Sequence, residues 1–221
     1  MKRNLVKLAV FDCDGTLIDG QAAICEAMEA TFAQFSLRPP KRGEIRRAIG
    51  LSLPQAMHRL LPESPIEQQQ AMAEAYRQAF RRARQEGRIS QPLFDGIRET
   101  LTALKEAGWT LAVATGMSDK GLEQCLAVNG IADLFASLQT ADRHPSKPHP
   151  GMLEQAMFET GAQASEAVMI GDTAYDMEMA RAAYVRGIGV DWGYHHPIEL
   201  QEAGAEWVAE SVGELREYLL K

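Results

Sequence analysis

From Trp109 onward the chain alternates short apolar runs with segments of helical periodicity, and this alternation limits the fold more than any other feature of the sequence. "WTLAVATG" stops at Gly116, and "LFASLQ", "AVMIG" and "RGIGV" are further runs of strand length. Between them apolar residues recur at helical spacing. Ile97, Leu101 and Leu104 form one stripe; Leu122, Cys125 and Leu126 form a second, closed by Asn129 and Gly130. Met152, Leu153, Ala156 and Met157 form a third, closed by Gly161, and Met177, Ala180 and Tyr184 suggest a fourth. Ser211 and Glu214 stand at capping-box spacing before a last helix. Apolar strands need cover on both faces, and parallel strands need crossover helices. The pattern predicts an α/β fold, a three-layer Rossmann-like parallel sheet core made of right-handed βαβ units.

Residues 20–90 read differently, with no convincing strand. Ser52 with Gln55 and Ser64 with Glu67 have capping-box spacing, and Pro65 suits a first helical position. One long helix is expected from Pro65 to about Glu86, and "LRPPKRG" interrupts two earlier ones. Charge divides the same way: residues 19–90 carry 11 Lys and Arg against 8 Asp and Glu, within a chain of net charge −7. We expect a sheet core of residues 1–18 and 91–221 and an inserted all-helical cap domain of residues 19–90.

The chain has 221 residues, 46% of them hydrophobic and 24% charged, a globular composition. Its apolar runs fall far short of a membrane span, and no signal-peptide core precedes the first acids. The acidic balance argues against nucleic acid as a partner. Cys13, Cys25 and Cys125 lack ligand or disulfide spacing and read as buried free thiols, which fits a cytoplasmic location. The five histidines show no ligand spacing and are expected mostly on exposed loops and helices. "GIGVDWG" has its third glycine misplaced for a dinucleotide fingerprint. "PSKP" reads as a rigid loop rather than a recognition motif, and "RQAFRRARQEGR" as a solvated helix face.

In open parallel sheets ligands bind beyond the carboxyl ends of the strands. "FDCDGT" places Asp12 and Asp14 at the end of the first strand, and Thr115 and Gly116 follow "LAVA". Gly171, Asp172 and then Asp176 follow "AVMI", and the proline-stiffened loop "HPSKPHPG" presents Lys147. Carboxylates converging this closely repel unless a cation neutralises them. Oxygen ligands imply a hard divalent ion, and Mg²⁺ is the one expected. Mg²⁺, a lysine and a hydroxyl make a set of groups suited to phosphate. A carboxylate can then attack phosphorus, and a second acid two residues on can protonate the leaving oxygen and activate water.

"FDCDGT", "VATG", "SKPHP" and "GDTAYD", in this order and strand context, resemble the four motifs of the haloacid-dehalogenase superfamily over essentially the whole chain. The helical insert after the first motif resembles the cap of the phosphoglycolate-phosphatase-like branch. The resemblance implies Asp12 as nucleophile and metal ligand, and Asp14 as general acid/base with its backbone carbonyl on the metal. It implies Thr115, with Gly116, binding the transferring phosphoryl group, and Lys147 neutralising charge there. Asp172 would complete the metal site, and Asp176 would support the metal shell or orient Lys147. Three departures bear on substrate: Gly20 where many relatives carry Ser or Thr, Met117 where a polar residue is common, and Tyr184 in place of a small residue. The implied activity is a Mg²⁺-dependent phosphatase acting on a small phosphorylated metabolite, phosphoglycolate-like, through an aspartyl-phosphate. A sugar-phosphate mutase would use the same core. A haloacid dehalogenase would not need Asp14, and a phospho-acceptor signalling module would not need an acid placed for hydrolysis. Asp19 marks the turn into the insert, and oligomeric state is not legible in the chain.

Overall fold

The structure is a computed structural model describing residues 6–221; the basic start of the chain, residues 1–5, lies outside them. Six strands form one parallel sheet: β1 (Lys7–Phe11), β2 (Trp109–Thr115), β3 (Ser137–Thr140), β4 (Ala167–Gly171), β5 (Arg186–Val190) and β6 (Trp207–Ala209). Their spatial order is β3-β2-β1-β4-β5-β6. β1 therefore sits where the strand order reverses, so the crevice such a reversal opens lies at the end of β1.

Strand periodicity divides the core into two layers. Ala9, Phe11, Leu111, Val113, Val168, Ile170, Ile188 and Val190 point to one face, covered by α5 (Ile97–Glu106), α6 (Asp119–Val128) and α10 (Val212–Leu220). Leu8, Val10, Ala112, Ala114, Ala167 and Met169 point to the other, covered by α7 (Gly151–Thr160) and α8 (Ala174–Ala182). Both faces are dry, which is why these strands read as unbroken apolar runs. α9 (Pro197–Ala203) packs Leu200 and Ala203 against Met177 of α8. The three-layer parallel fold expected from the sequence is the one observed.

Between β1 and α5 lie α1 (Gln21–Gln34), α2 (Arg42–Arg46), α3 (Leu53–Leu60) and α4 (Ile66–Gln85). They bury a separate cluster that includes Ile24, Met28, Phe32, Ile45, Met57 and Met72. The two strands of chain joining them to the sheet run side by side: Ile18 bridges Leu93, and the Asp19 N–H donates to the Pro92 carbonyl at 2.9 Å.

Several local expectations differ from the structure. Neither Ser52 nor Ser64 caps a helix with its side chain. The Ser52 N–H is drawn to Ser146 Oγ across the fold, and Gln69 Nε2 folds back onto the Leu61 and Ser64 carbonyls. Tyr184 leaves the α8 stripe: it follows the helix at φ +58° and is 89% exposed. His195 is buried, against the expectation of exposed histidines. β6 went unforeseen because its three residues pair only at the sheet edge.

Candidate active site

Phe11, the last residue of β1, pairs with Val113 and Ile170, so the carboxyl ends of β1, β2 and β4 lie at the same edge of the sheet, within two residues of one another. Asp12 follows β1 directly, with its N–H donating to the Ile170 carbonyl at 2.8 Å. Thr115 ends β2, and Asp172 follows β4. Asp176 lies in the first turn of α8, where Thr173 Oγ1 and the Asp176 carboxylate form a reciprocal cap. Lys147 enters from the loop between β3 and α7. Asp12, Thr115, Lys147, Asp172 and Asp176 are all buried.

Lys147 Nζ lies 2.7 Å from Asp12 Oδ1 and 2.6 Å from Asp176 Oδ1. Asp176 Oδ2 accepts from the Thr173 N–H and hydroxyl, so both of its oxygens are engaged within the chain. Asp172 Oδ1 accepts from Thr16 Oγ1 at 2.8 Å, and its Oδ2 accepts from the Tyr194 N–H at 3.0 Å. Asp12 Oδ2 is buried and has no hydrogen-bond partner among the described residues. Asp12, Asp172 and Asp176 each offer an oxygen within 4.8 Å of the others.

Glycines set this close approach. A Cβ on Gly15 would lie 2.2 Å from Asp172 Oδ2, and its φ of +89° already disfavours any other residue. A Cβ on Gly193 would lie 2.1 Å from the Asp172 Cβ. The loops after β1 and β5 thus close around Asp172 because they carry no side chains there.

Three carboxylates around one ammonium leave an uncompensated negative charge in a dry place. Burial pushes the Asp12 carboxyl up from 3.8 to about 7, opposed by Lys147 and reinforced by Asp176. Burial, Asp12 and Asp176 hold Asp172 well above the usual carboxylate range. Burial tends to lower the Lys147 pKa, but Asp12 and Asp176 outweigh it and hold the ammonium charged. The free Asp12 oxygen and the all-oxygen donor set fit a hard divalent cation.

Asp14 stands apart from this cluster. Burial lifts its carboxyl from 3.8 to about 6, opposed by Lys147, Gln91 and Arg84. The sequence-predicted acids therefore divide into a cluster gathered around Lys147 and a separate carboxyl at Asp14.

A turn of the helical insert roofs the site. A Cβ on Gly116 would lie 2.4 Å from the Leu51 carbonyl oxygen, and one on Gly50 would lie 3.1 Å from Thr173 Oγ1. Ser52 N–H to Ser146 Oγ, 2.8 Å, ties the same turn to the Lys147 loop. Farther out, Tyr175 Oη donates to the Arg47 carbonyl, and the Arg47 guanidinium pairs with Glu199 at 2.8 Å. Thr16, Thr173 and Tyr194, which touch the acids, went unrecognised as site residues. Thr173 left a sequence signal in the Thr-x-x-Asp cap that it forms with Asp176, and Thr16 closes the "FDCDGT" motif.

Comparison with known proteins agrees with this geometry. The family model described as haloacid dehalogenase-like hydrolase matches residues 9–190. The chain is 35% identical to the probable phosphatase IndB of Dickeya dadantii, over 94% of this chain and 91% of that protein. It is 28% identical to the phosphoglycolate phosphatase of Vibrio vulnificus, over 100% of this chain and 99% of that protein. A hydrolase from Pseudomonas syringae superimposes with a TM-score of 0.85 at 26% identity, covering 96% of this chain and 97% of that one. A match running from the strand that delivers Asp12 to the end of β5 spans all three clustered acids and Lys147, and the chain belongs to the haloacid dehalogenase-like hydrolase family.

Proposed function

We propose that the protein is a Mg²⁺-dependent phosphatase that hydrolyses a small phosphate monoester, phosphoglycolate-like, through an aspartyl-phosphate on Asp12. The observation that carries this reading is a buried carboxylate with one free oxygen, Asp12 Oδ2, held beside Lys147 while a second, separate carboxyl waits at Asp14. Asp12, the Asp14 backbone carbonyl and Asp172 would hold the cation, with Asp176 supporting that shell through Lys147. Bound there, Mg²⁺ supplies positive charge to the phosphoryl oxygens.

Asp12 Oδ2 attacks phosphorus, and the ester P–O bond breaks. Asp14 gives its proton to the departing oxygen; its pKa of about 6 keeps a protonated fraction available near neutral pH. Asp14 then takes a proton from water, which attacks the aspartyl-phosphate, releases phosphate and restores Asp12. Thr115 Oγ1 and the Gly116 N–H bind the transferring phosphoryl group, and Lys147 balances charge on Asp12 and phosphoryl oxygens. Asp176, anchored by Thr173, fixes Lys147. The insert serves as a cap that opens on the paired linkers at residues 18–20 and 91–93 and excludes water when Gly50–Ser52 roof the site. The three buried free thiols support a reducing, cytoplasmic setting.

The test is release of phosphate from a panel of phosphomonoesters with Mg²⁺. Turnover should need Mg²⁺ and disappear in Asp12→Asn. No hydrolysis of any ester, or full activity in Asp12→Asn, would overturn the proposal.

A further inference from the structure

Asp14 Oδ1 is buried beside Gly20, and a Cβ on Gly20 would lie 2.5 Å from it and 3.2 Å from Gln91 Nε2. The absent side chain thus leaves the carboxyl and the amide facing one another across the space above Gly20. The orientation of that amide is set from behind. Gln91 Oε1 accepts from Arg84 Nη2 at 3.1 Å, which turns the –NH₂ end toward Asp14. Arg84 is itself held from two further sides: its Nη1 donates to Gln124 Oε1 of α6, and its guanidinium lies 5.3 Å from the Phe80 ring. Gln91 is also fixed by its main chain, whose carbonyl accepts from Asn129 Nδ2 at 3.0 Å. Arg84 sits in the last turn of α4, Gln91 in the returning linker, and Gln124 and Asn129 in and just after α6 of the core.

We propose that Gln91 is a positioning residue for Asp14: aimed by Arg84, its Nε2–H holds Asp14 Oδ1, leaving Oδ2 to carry the proton to and from the substrate. Because the amide is aimed from α4, the packing of insert against core brings it to the same space as the acid. The inference rests on the phosphatase reading of Asp14. Asp14 Oδ1 and Gln91 Nε2 are both buried and neither has a hydrogen-bond partner among the described residues, so each is the group left to satisfy the other across that space.

A misplaced acid matters only where the leaving oxygen needs a proton. Gln91→Leu should slow hydrolysis of an alkyl ester such as phosphoglycolate on the order of 10–100-fold in kcat. It should slow p-nitrophenyl phosphate, whose leaving group departs as a stable anion, by less than about 3-fold. Arg84→Met should reproduce part of the alkyl-ester loss, Arg84→Lys should restore some of it, and Arg84→Met should add nothing in the Gln91→Leu background. Equal losses on both esters, or losses that multiply in the double variant, would overturn the proposal. A second measurement needs no turnover. Gln91→Leu should lower the unfolding midpoint of the wild-type chain by about 2–4 °C and leave that of Asp14→Ala unmoved. The same shift in both backgrounds would refute the contact. If the wild-type protein hydrolyses neither ester with Mg²⁺, the phosphatase reading fails, and this thermal cycle alone decides whether Gln91 holds Asp14.

Discussion

Without a cation, the acidic cluster should weaken the protein that carries it, and replacing Asp12 by Asn should strengthen the fold while abolishing chemistry. The Asp12 carboxyl rises from 3.8 to about 7 on folding, an increase of about three units or about 4 kcal/mol. The sign follows from proton counting. The folded chain holds the Asp12 proton more tightly than the unfolded chain, so unfolding releases a proton between about pH 4 and pH 7. Stability therefore falls as pH rises through that window, and the full cost is present above it. Asn carries no charge, and Lys147 keeps Asp176 at 2.6 Å as its partner. In EDTA at pH 8, Asp12→Asn should melt about 8–16 °C above wild type, using about 2–4 °C per kcal/mol for a chain of this size. At pH 5, where folded Asp12 is mostly protonated, less than half of that gain should remain. Saturating Mg²⁺ should raise the wild-type Tm and narrow the gap, because it binds the folded state. Scanning calorimetry across pH 5 to 8 reads all three effects. A lower Tm for Asp12→Asn at pH 8, or an equal gain at pH 5 and pH 8, would refute the assignment of uncompensated charge to this site.

Other outcomes follow from neighbouring contacts. Lys147→Met leaves buried Asp12 and Asp176 without their cation and should cost about 3–5 kcal/mol in urea unfolding at pH 8 without Mg²⁺. Unchanged stability would show that Lys147 does not compensate the cluster. Asp14→Asn should lower kcat for an alkyl phosphate by about 10²–10⁴-fold, with Mg²⁺ affinity by calorimetry nearly unchanged. Intact turnover would remove Asp14 from the proton transfers. Gly15→Ala would drive a methyl group into Asp172 at a φ of +89° and should weaken Mg²⁺ binding by about 10–100-fold. Wild-type affinity in that variant would place the cation elsewhere.

What the sequence made legible follows from how far apart the cooperating residues lie. Asp12 and Asp14 could be read because one strand end aims both, and the spacing survives in the linear chain. Asp172 and Asp176 could be read because a strand end and a helix start fix their separation. The sheet was legible for a related reason: strands dry on both faces must be apolar throughout, and their two layers follow from alternation alone. β6 escaped because three residues at a sheet edge carry too little pattern. The roles of Gln91 and Arg84 escaped for a different reason. Their linear neighbourhood, "RQEGRISQP", looks like a charged helix end running into a linker, and only folding brings Gly20 from the other linker beside them. The capping-box spacing at Ser52 misled because a tertiary partner, Ser146, competes for the same segment and anchors it by its backbone instead. Local motifs therefore mark the carboxylates and the lysine that converge at the candidate site. The groups that orient them are drawn from two linkers and a helix end, where the polar residues of a contact and of a solvated surface look alike until the chain closes on itself.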